Sequence, residues 1–212
     1  MRIGIHLPQY GRASGPDAIT RAARTAEELG FHHVWVSDHV VHPTEQDYPS
    51  AHLFDPFTTL TWAAAATESV RLGTSVIVAP HHVPLALANT LASLDRLSQG
   101  RVIAGIGVGW SRREIEALGF QFDQRGRRTD EIIDVLRAAW TEDPVSYHGE
   151  LIDFADIRVQ PQPGRPIPIW VGGSSEPAYR RACARGDGFH AIGLDPEGAA
   201  TVVERIRRDR PE

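Results

Sequence analysis

Six short β-rich runs, Arg2–Leu7, Val34–Ser37, Leu72–Val78, Val102–Val108, Ile167–Val171 and Phe189–Ile192, alternate with helical patterns along the whole chain. No other feature restricts the fold as much. Strands of continuous apolar character, each followed by a helix, imply a parallel sheet covered by helices on its outer face. The first helix carries Ile19, Ala22, Ala23, Ala26 and Leu29 at helical spacing and stops at Gly30. The third carries Leu87, Leu91, Leu94 and Leu97 and stops near Gly100. Asp55-Pro56 has the form of an N-cap followed by proline at the first helical position. Ile132, Leu136, Ala139 and Trp140 mark a long amphipathic helix after the arginine cluster 125–128.

Repeated strand-helix units leave two architectures, an open doubly wound sheet and a (β/α)8 barrel. The stretch AGIGVGW at 104–110 spaces Gly105, Gly107 and Gly109 two apart, but a dinucleotide fingerprint needs G-x-G-x-x-G, and three residues after Gly107 stands Trp110. The first strand is likewise followed by Pro8-Gln9-Tyr10 rather than a phosphate-binding glycine turn, which favours the TIM barrel. In a strand of period two those three glycines leave one face without side chains, so something flat is expected against it. Two stretches break the rhythm. Residues 40–55 form a long polar loop of the kind that serves as a lid, and 143–166 contain a β-hairpin turning at His148-Gly149-Glu150, taken as an insertion. No shift of composition divides the chain, so a single domain over 1–212 is expected.

Composition narrows the chemistry. All 22 basic residues are arginine, which removes Schiff-base lysines and the lysine of a Walker-type phosphate loop. Arginines dispersed among carboxylates with a net charge of −5 argue against a nucleic-acid partner. No window approaches the roughly 18 apolar residues of a membrane span, and the opening MRIGIHLPQYG lacks a secretory h-region. A lone Cys183 excludes an internal disulfide, so a cytoplasmic protein is expected. His81-His82 and His32-His33 lack the His/Cys/carboxylate spacing of a zinc or iron site, so no metal is expected.

In a barrel the functional residues lie at the C-terminal strand ends. The second strand ends in Asp38-His39, a carboxylate able to orient and an imidazole able to move a proton near neutral pH; the same pair could equally cap its loop. The fifth run is followed by Gly172-Gly173-Ser174-Ser175 opening a helix, where free N–H groups would hold a phosphate, with Arg180 and Arg181 one turn on.

Together GFHHVWVSDHV, VRLGTSVIVAPHHVPLALANTLASLDRLSQGRVIAGIGVGW, RGRRTDEIIDVLRAAWTEDPVSYHGELIDF and PIPIWVGGSSEPAYRRACARGDGFH resemble the bacterial luciferase-like superfamily, specifically its coenzyme F420-dependent oxidoreductase branch. The resemblance implies that Asp38 contacts the deazaflavin ring and that His39 gives or takes the proton during hydride transfer to or from a small-molecule substrate. It implies a non-proline cis peptide at Ser75-Val76 buttressing the ring, clearance for the ring and the pocket floor at Gly107, and a phosphate turn at Gly172, Gly173 and Ser174. Some F420-dependent sugar-phosphate dehydrogenases carry a glutamate where this chain has Trp110, so that chemistry is not implied. FMN replaces F420 in the alternative reading, a luciferase-like monooxygenase. Such barrels take about 250 residues, so the expectation is a barrel short at the C-terminus, with about six units. Its two open edges favour a homodimer, and a shortened, non-catalytic cofactor-binding homologue is the third reading.

Overall fold

The computed structural model describes residues 2–47 and 49–210. Six parallel strands run in the order β1 (Gly4–His6), β2 (His33–Val36), β3 (Arg71–Thr74), β5 (Val102–Gly107), β8 (Ile169–Gly172), β9 (Gly188–His190), and a short β4 (Ile77–Val78) pairs with β5. The helices between them are α1 (Pro16–Glu28), α2 (Pro56–Ala66), α3 (Pro84–Leu97), α4 (Arg112–Ala117), α5 (Arg125–Thr141) and α6 (Glu176–Arg185); α7 (Pro196–Asp209) follows β9. The antiparallel hairpin β6 (Val145–His148) and β7 (Asp153–Ile157) stands apart from this sheet.

The sheet is rolled. Trp35 of β2 stacks on His190 of β9 with ring centroids 5.3 Å apart, and lies 5.5 Å from Trp170 of β8. In a flat sheet β2 and β9 would stand four strand spacings apart, roughly 19 Å, so only strong curvature brings these rings together. This is the half-barrel of a TIM-type fold. Its interior is filled by Trp35 and Trp170, and Gly73 makes the room: a Cβ there would fall 2.1 Å from the Trp35 ring.

The outer face buries the expected helix stripes. Ile19, Ala23 and Ala26 of α1, Leu87, Leu91 and Leu94 of α3, and Ile132, Leu136, Ala139 and Trp140 of α5 are all buried. Each large aliphatic among them stabilises the fold by roughly 1.5–3 kcal/mol. Trp140 reconciles its buried indole N–H by donating to the Ala88 carbonyl of α3 at 3.1 Å. Asp55 caps α2 through Thr58 N–H at 2.7 Å, with Pro56 at the first helical position as read from sequence.

Several expectations need correction. Leu29 and Leu97, read as core, are 71% and 76% exposed, because each continues the periodicity to the very end of its helix, where the stripe has rotated off the sheet. The run 72–78 is two strands, interrupted at Ser75-Val76. The arginines of 125–128 form the first turn of α5 rather than preceding it. Tyr48, within the loop 40–55, lies outside the described residues. No helix among the described residues is long and apolar enough to cross a membrane.

Candidate active site

The C-terminal ends of β2, β4, β5 and β8, with Ile192 just beyond β9, surround one cavity of about 450 Å³. Of the residues singled out from sequence, Asp38, His39, Ser75, Val76, Gly107, Gly172 and Gly173 line it. Ser174 does not; it is exposed at the start of the turn that leads into α6.

Asp38 and His39 adjoin in sequence but are fastened to different elements. Asp38 is buried. Its Oδ2 accepts from Val78 N–H at 2.9 Å and from His82 Nε2 at 2.6 Å, while its Oδ1 has no partner among the described residues. His39 instead pairs through Nδ1 with Glu114 Oε2 at 2.9 Å, and the other oxygen of that carboxylate accepts from Val40 N–H at 3.0 Å. Glu114 is 1% exposed at the start of α4, whose N-cap Ser111 accepts from Glu114 N–H. His81 lies between the two dyads, its Nδ1 3.9 Å from Glu114 Oε1 and neither ring nitrogen hydrogen-bonded among the described residues. Burial lowers the His81 pKa against the opposing pull of Asp38 and Glu114.

Sequence reading missed Glu114, His82 and His190. Glu114 sits in SRREIEALG, where its charge looks like part of a solvated helix face; Glu116, two residues on, is in fact largely exposed and paired with Arg112. The sequence signal for His82 is the His81-His82 pair itself, which lacks metal-site spacing but places an imidazole beside Asp38. His190 Nε2 lies 2.7 Å from the Ser75 hydroxyl, so this serine is already engaged from across the barrel. Gln9, buried, donates to the carbonyls of Ser37 and Phe54 and accepts from Ser37 N–H, tying the end of β1 to the end of β2 and to the returning end of the loop 40–55.

The side-chain-free face of β5 packs closely against the chain itself. A Cβ at Gly105 would stand 1.9 Å from the Thr74 carbonyl oxygen, at Gly107 2.5 Å from Val76 Cγ2, and at Gly109 2.5 Å from Val78 Cγ1. What lies against it is the neighbouring segment 74–78, which contains the cis Ser75-Val76 bond expected from the resemblance. Gly172 of β8 closes on Val76 from the other side, where a Cβ would stand 2.6 Å from Cγ1. Val76 is thus wedged between two glycines and forms the cavity floor. The clearance read at Gly107 serves this valine, and Gly107 itself presents only backbone to the cavity.

At the anion turn the arginine contribution is corrected. Arg181 is 8% exposed and turned inward, its Nε donating to Asp130 at 2.6 Å and its Nη2 to the Gly126 carbonyl at 3.1 Å. Arg180 reaches back to Glu176, which also receives both bonds from Arg205. These cations are committed to carboxylates. Part of the turn's backbone is already used: Gly173, at φ +133°, donates its N–H to the His190 carbonyl at 3.3 Å, and Pro177 has no N–H, while the N-cap Ser175 makes no side-chain cap bond to the start of α6.

Trp110 is 59% exposed at the rim and meets His39 edge to face, ring centroids 6.2 Å apart. The loop 40–55 is fastened to α4 through Ser111 to Gln46 at 3.0 Å and through the Arg113–Glu45 ion pair. The hairpin of 143–166 lies along α5, where Glu131 accepts the N–H groups of Glu150, Leu151 and Ile152. Among the described residues lining the cavity none comes from this hairpin.

Comparison with known proteins gives a consistent set of matches. The sequence matches the luciferase-like monooxygenase family over residues 1–212. It is 33% identical over 182 residues to the F420-dependent glucose-6-phosphate dehydrogenase of Amycolatopsis mediterranei, covering 82% of this chain and 53% of that one. The fold superposes on the monooxygenase RslO1 from Streptomyces bottropensis with a TM-score of 0.83 at 30% identity, covering 99% of this chain and 66% of that one. It also superposes on an F420-dependent secondary alcohol dehydrogenase in complex with an F420-acetone adduct, with a TM-score of 0.81 at 27% identity, covering 99% and 64%. The chain therefore spans between about half and two thirds of these relatives.

Proposed function

The chain belongs to the luciferase-like monooxygenase family, whose members are oxidoreductases, and on that premise we propose that it moves a hydride between coenzyme F420 and a small organic substrate in the cavity at the strand ends. The observation that carries this reading is the pairing, at one cavity wall, of a buried acceptor without a partner, Asp38 Oδ1, with an imidazole whose Nδ1 is already held, His39. A flat heteroaromatic ring that presents an N–H suits an orphaned carboxylate oxygen. The apolar floor of Val76 and Val78 and the wall of Ile192 suit its faces. The residues present therefore fit the group that two relatives are named for.

Bound F420 would supply the hydride acceptor or donor. Asp38 orients, anchored by Val78 N–H and His82 so that it cannot swing away. His39 holds or moves the proton that accompanies the hydride at Nε2. The backbone N–H groups of Ser174 and Ser175 at the start of α6 take an anionic tail without lysine, and Trp110 screens the rim from water. A second reading, an FMN-dependent monooxygenase, draws on the likeness to RslO1.

Titration of the purified protein tests this. F420 fluorescence is expected to be quenched saturably and FMN fluorescence far less. His39→Ala is expected to lower the rate of F420 reduction by a panel of secondary alcohols and sugar phosphates by about 10²–10⁴-fold, with little change in F420 affinity. Tight yellow FMN with oxygen uptake would transfer the assignment to the second reading. Binding of neither would leave a non-catalytic homologue.

A further inference from the structure

We infer that Glu114 is a positioning residue that fixes the tautomer of His39, holding the proton on Nδ1 and turning the lone pair of Nε2 toward the cavity. Its catalytic meaning rests on the reading of His39 as the proton-moving group; its structural content does not. The count of donors and acceptors around the two side chains places the proton. The Glu114 carboxylate is buried and faces two groups, Val40 N–H at Oε1 and His39 Nδ1 at Oε2. An ionised carboxylate only accepts, so a bond to Nδ1 requires the hydrogen on the ring. Val40 N–H is a main-chain donor that must be satisfied, and it occupies the other oxygen. His81 is the remaining titratable neighbour of this carboxylate, and at 3.9 Å it makes no hydrogen bond that competes.

The same counting says what an amide would do. Glutamine at position 114 offers one acceptor and one donor. Its oxygen goes to Val40 N–H, its NH2 group then faces His39 Nδ1, and the ring proton is driven to Nε2. Substitution by an isostere should therefore invert the tautomer rather than merely loosen the site. An imidazole with Nε2 as acceptor can take the proton from a substrate hydroxyl as the hydride leaves its carbon. One with Nε2 as donor cannot.

The test is ¹⁵N imidazole NMR on the apo protein at pH 8, with the His39 signals assigned by their loss in His39→Gln. The wild type is expected to show His39 Nδ1 as the protonated, pyrrole-type nitrogen and Nε2 as the pyridine-type one. Glu114→Gln is expected to exchange them, and to lower turnover about a hundredfold or more at unchanged F420 affinity. A wild-type His39 protonated on Nε2, or a folded Glu114→Gln protein with the wild-type tautomer, overturns the inference. If Glu114→Gln does not fold, the wild-type spectrum alone decides. Tautomer inversion in a protein that binds no F420 would sustain this inference and defeat the proposed function; the converse result would do the reverse.

Discussion

Replacing Gly107 by alanine should be costly, and the cost should be removable at a distance in sequence. The new Cβ would stand 2.5 Å from Val76 Cγ2, well inside van der Waals contact, and overpacking of this kind costs about 1–3 kcal/mol. Val76→Ala alone removes two methyl carbons from a half-buried wedge, for about 1–2 kcal/mol. In the double variant the added methyl occupies the vacated space. The two effects should then fall short of their sum by about 1–2 kcal/mol, the coupling typical of touching side chains. Gly105→Ala provides the contrast, since its obstacle is the main-chain oxygen of Thr74 at 1.9 Å. No side-chain truncation relieves that clash, so a loss above about 3 kcal/mol is expected, and Val76→Ala should not rescue it. Urea unfolding of the wild type, the three single variants and the two double variants measures all of these. Additivity of Gly107→Ala and Val76→Ala within about 0.5 kcal/mol, or a tolerated Gly105→Ala, would refute the account of β5 as a bed for segment 74–78.

Acid should unfold the protein in two stages. Burial first, then His32, Arg71 and Arg2, hold His33 down to about 4, so it is neutral when folded and stability is lost as pH falls from 6.5 toward 4. Burial pushes Glu27 up, but the N–H groups of Ser69, Val70 and Glu68 and the Ser69 hydroxyl outweigh it and bring it to about 2, so its contribution is present above 4.5 and lost between 4.5 and 2. Urea midpoints from pH 7 to pH 3 should fall in both ranges. His33→Gln should flatten the upper limb and Glu27→Gln the lower, and a level profile between pH 6.5 and 4 would contradict the first. Arg181→Ala should destabilise by about 2 kcal/mol, less than a fully buried pair because Asp130 is a third exposed, while leaving inorganic phosphate affinity unchanged; a selective loss of phosphate binding would return Arg181 to the anion turn.

What could be read from sequence was what is encoded locally. Strand-helix alternation, the N-cap at Asp55 and the core stripe of α5 depend on residues a few positions apart, and all stand in the structure. Asp38-His39 was visible because both follow the apolar run of β2 directly. Their partners were not, since Glu114 is 75 residues from His39 and differs from the exposed Glu116 only in what packs over it. The glycine spacing of β5 announced a close approach correctly but could not say of what, because the approaching segment belongs to another strand. Arg181 was misread for the same reason: its neighbour Asp130 is 51 residues away, and a basic residue near a helix start looks available until its carboxylate is seen.

Neighbouring residues with separate moorings make the mouth of this barrel divisible. Lengthening the turn at 79–82 would shift the acid and spare the imidazole, while reshaping α4 would do the opposite. Such a scaffold can explore new chemistries by editing either peripheral segment alone, with its central dipeptide left as it is.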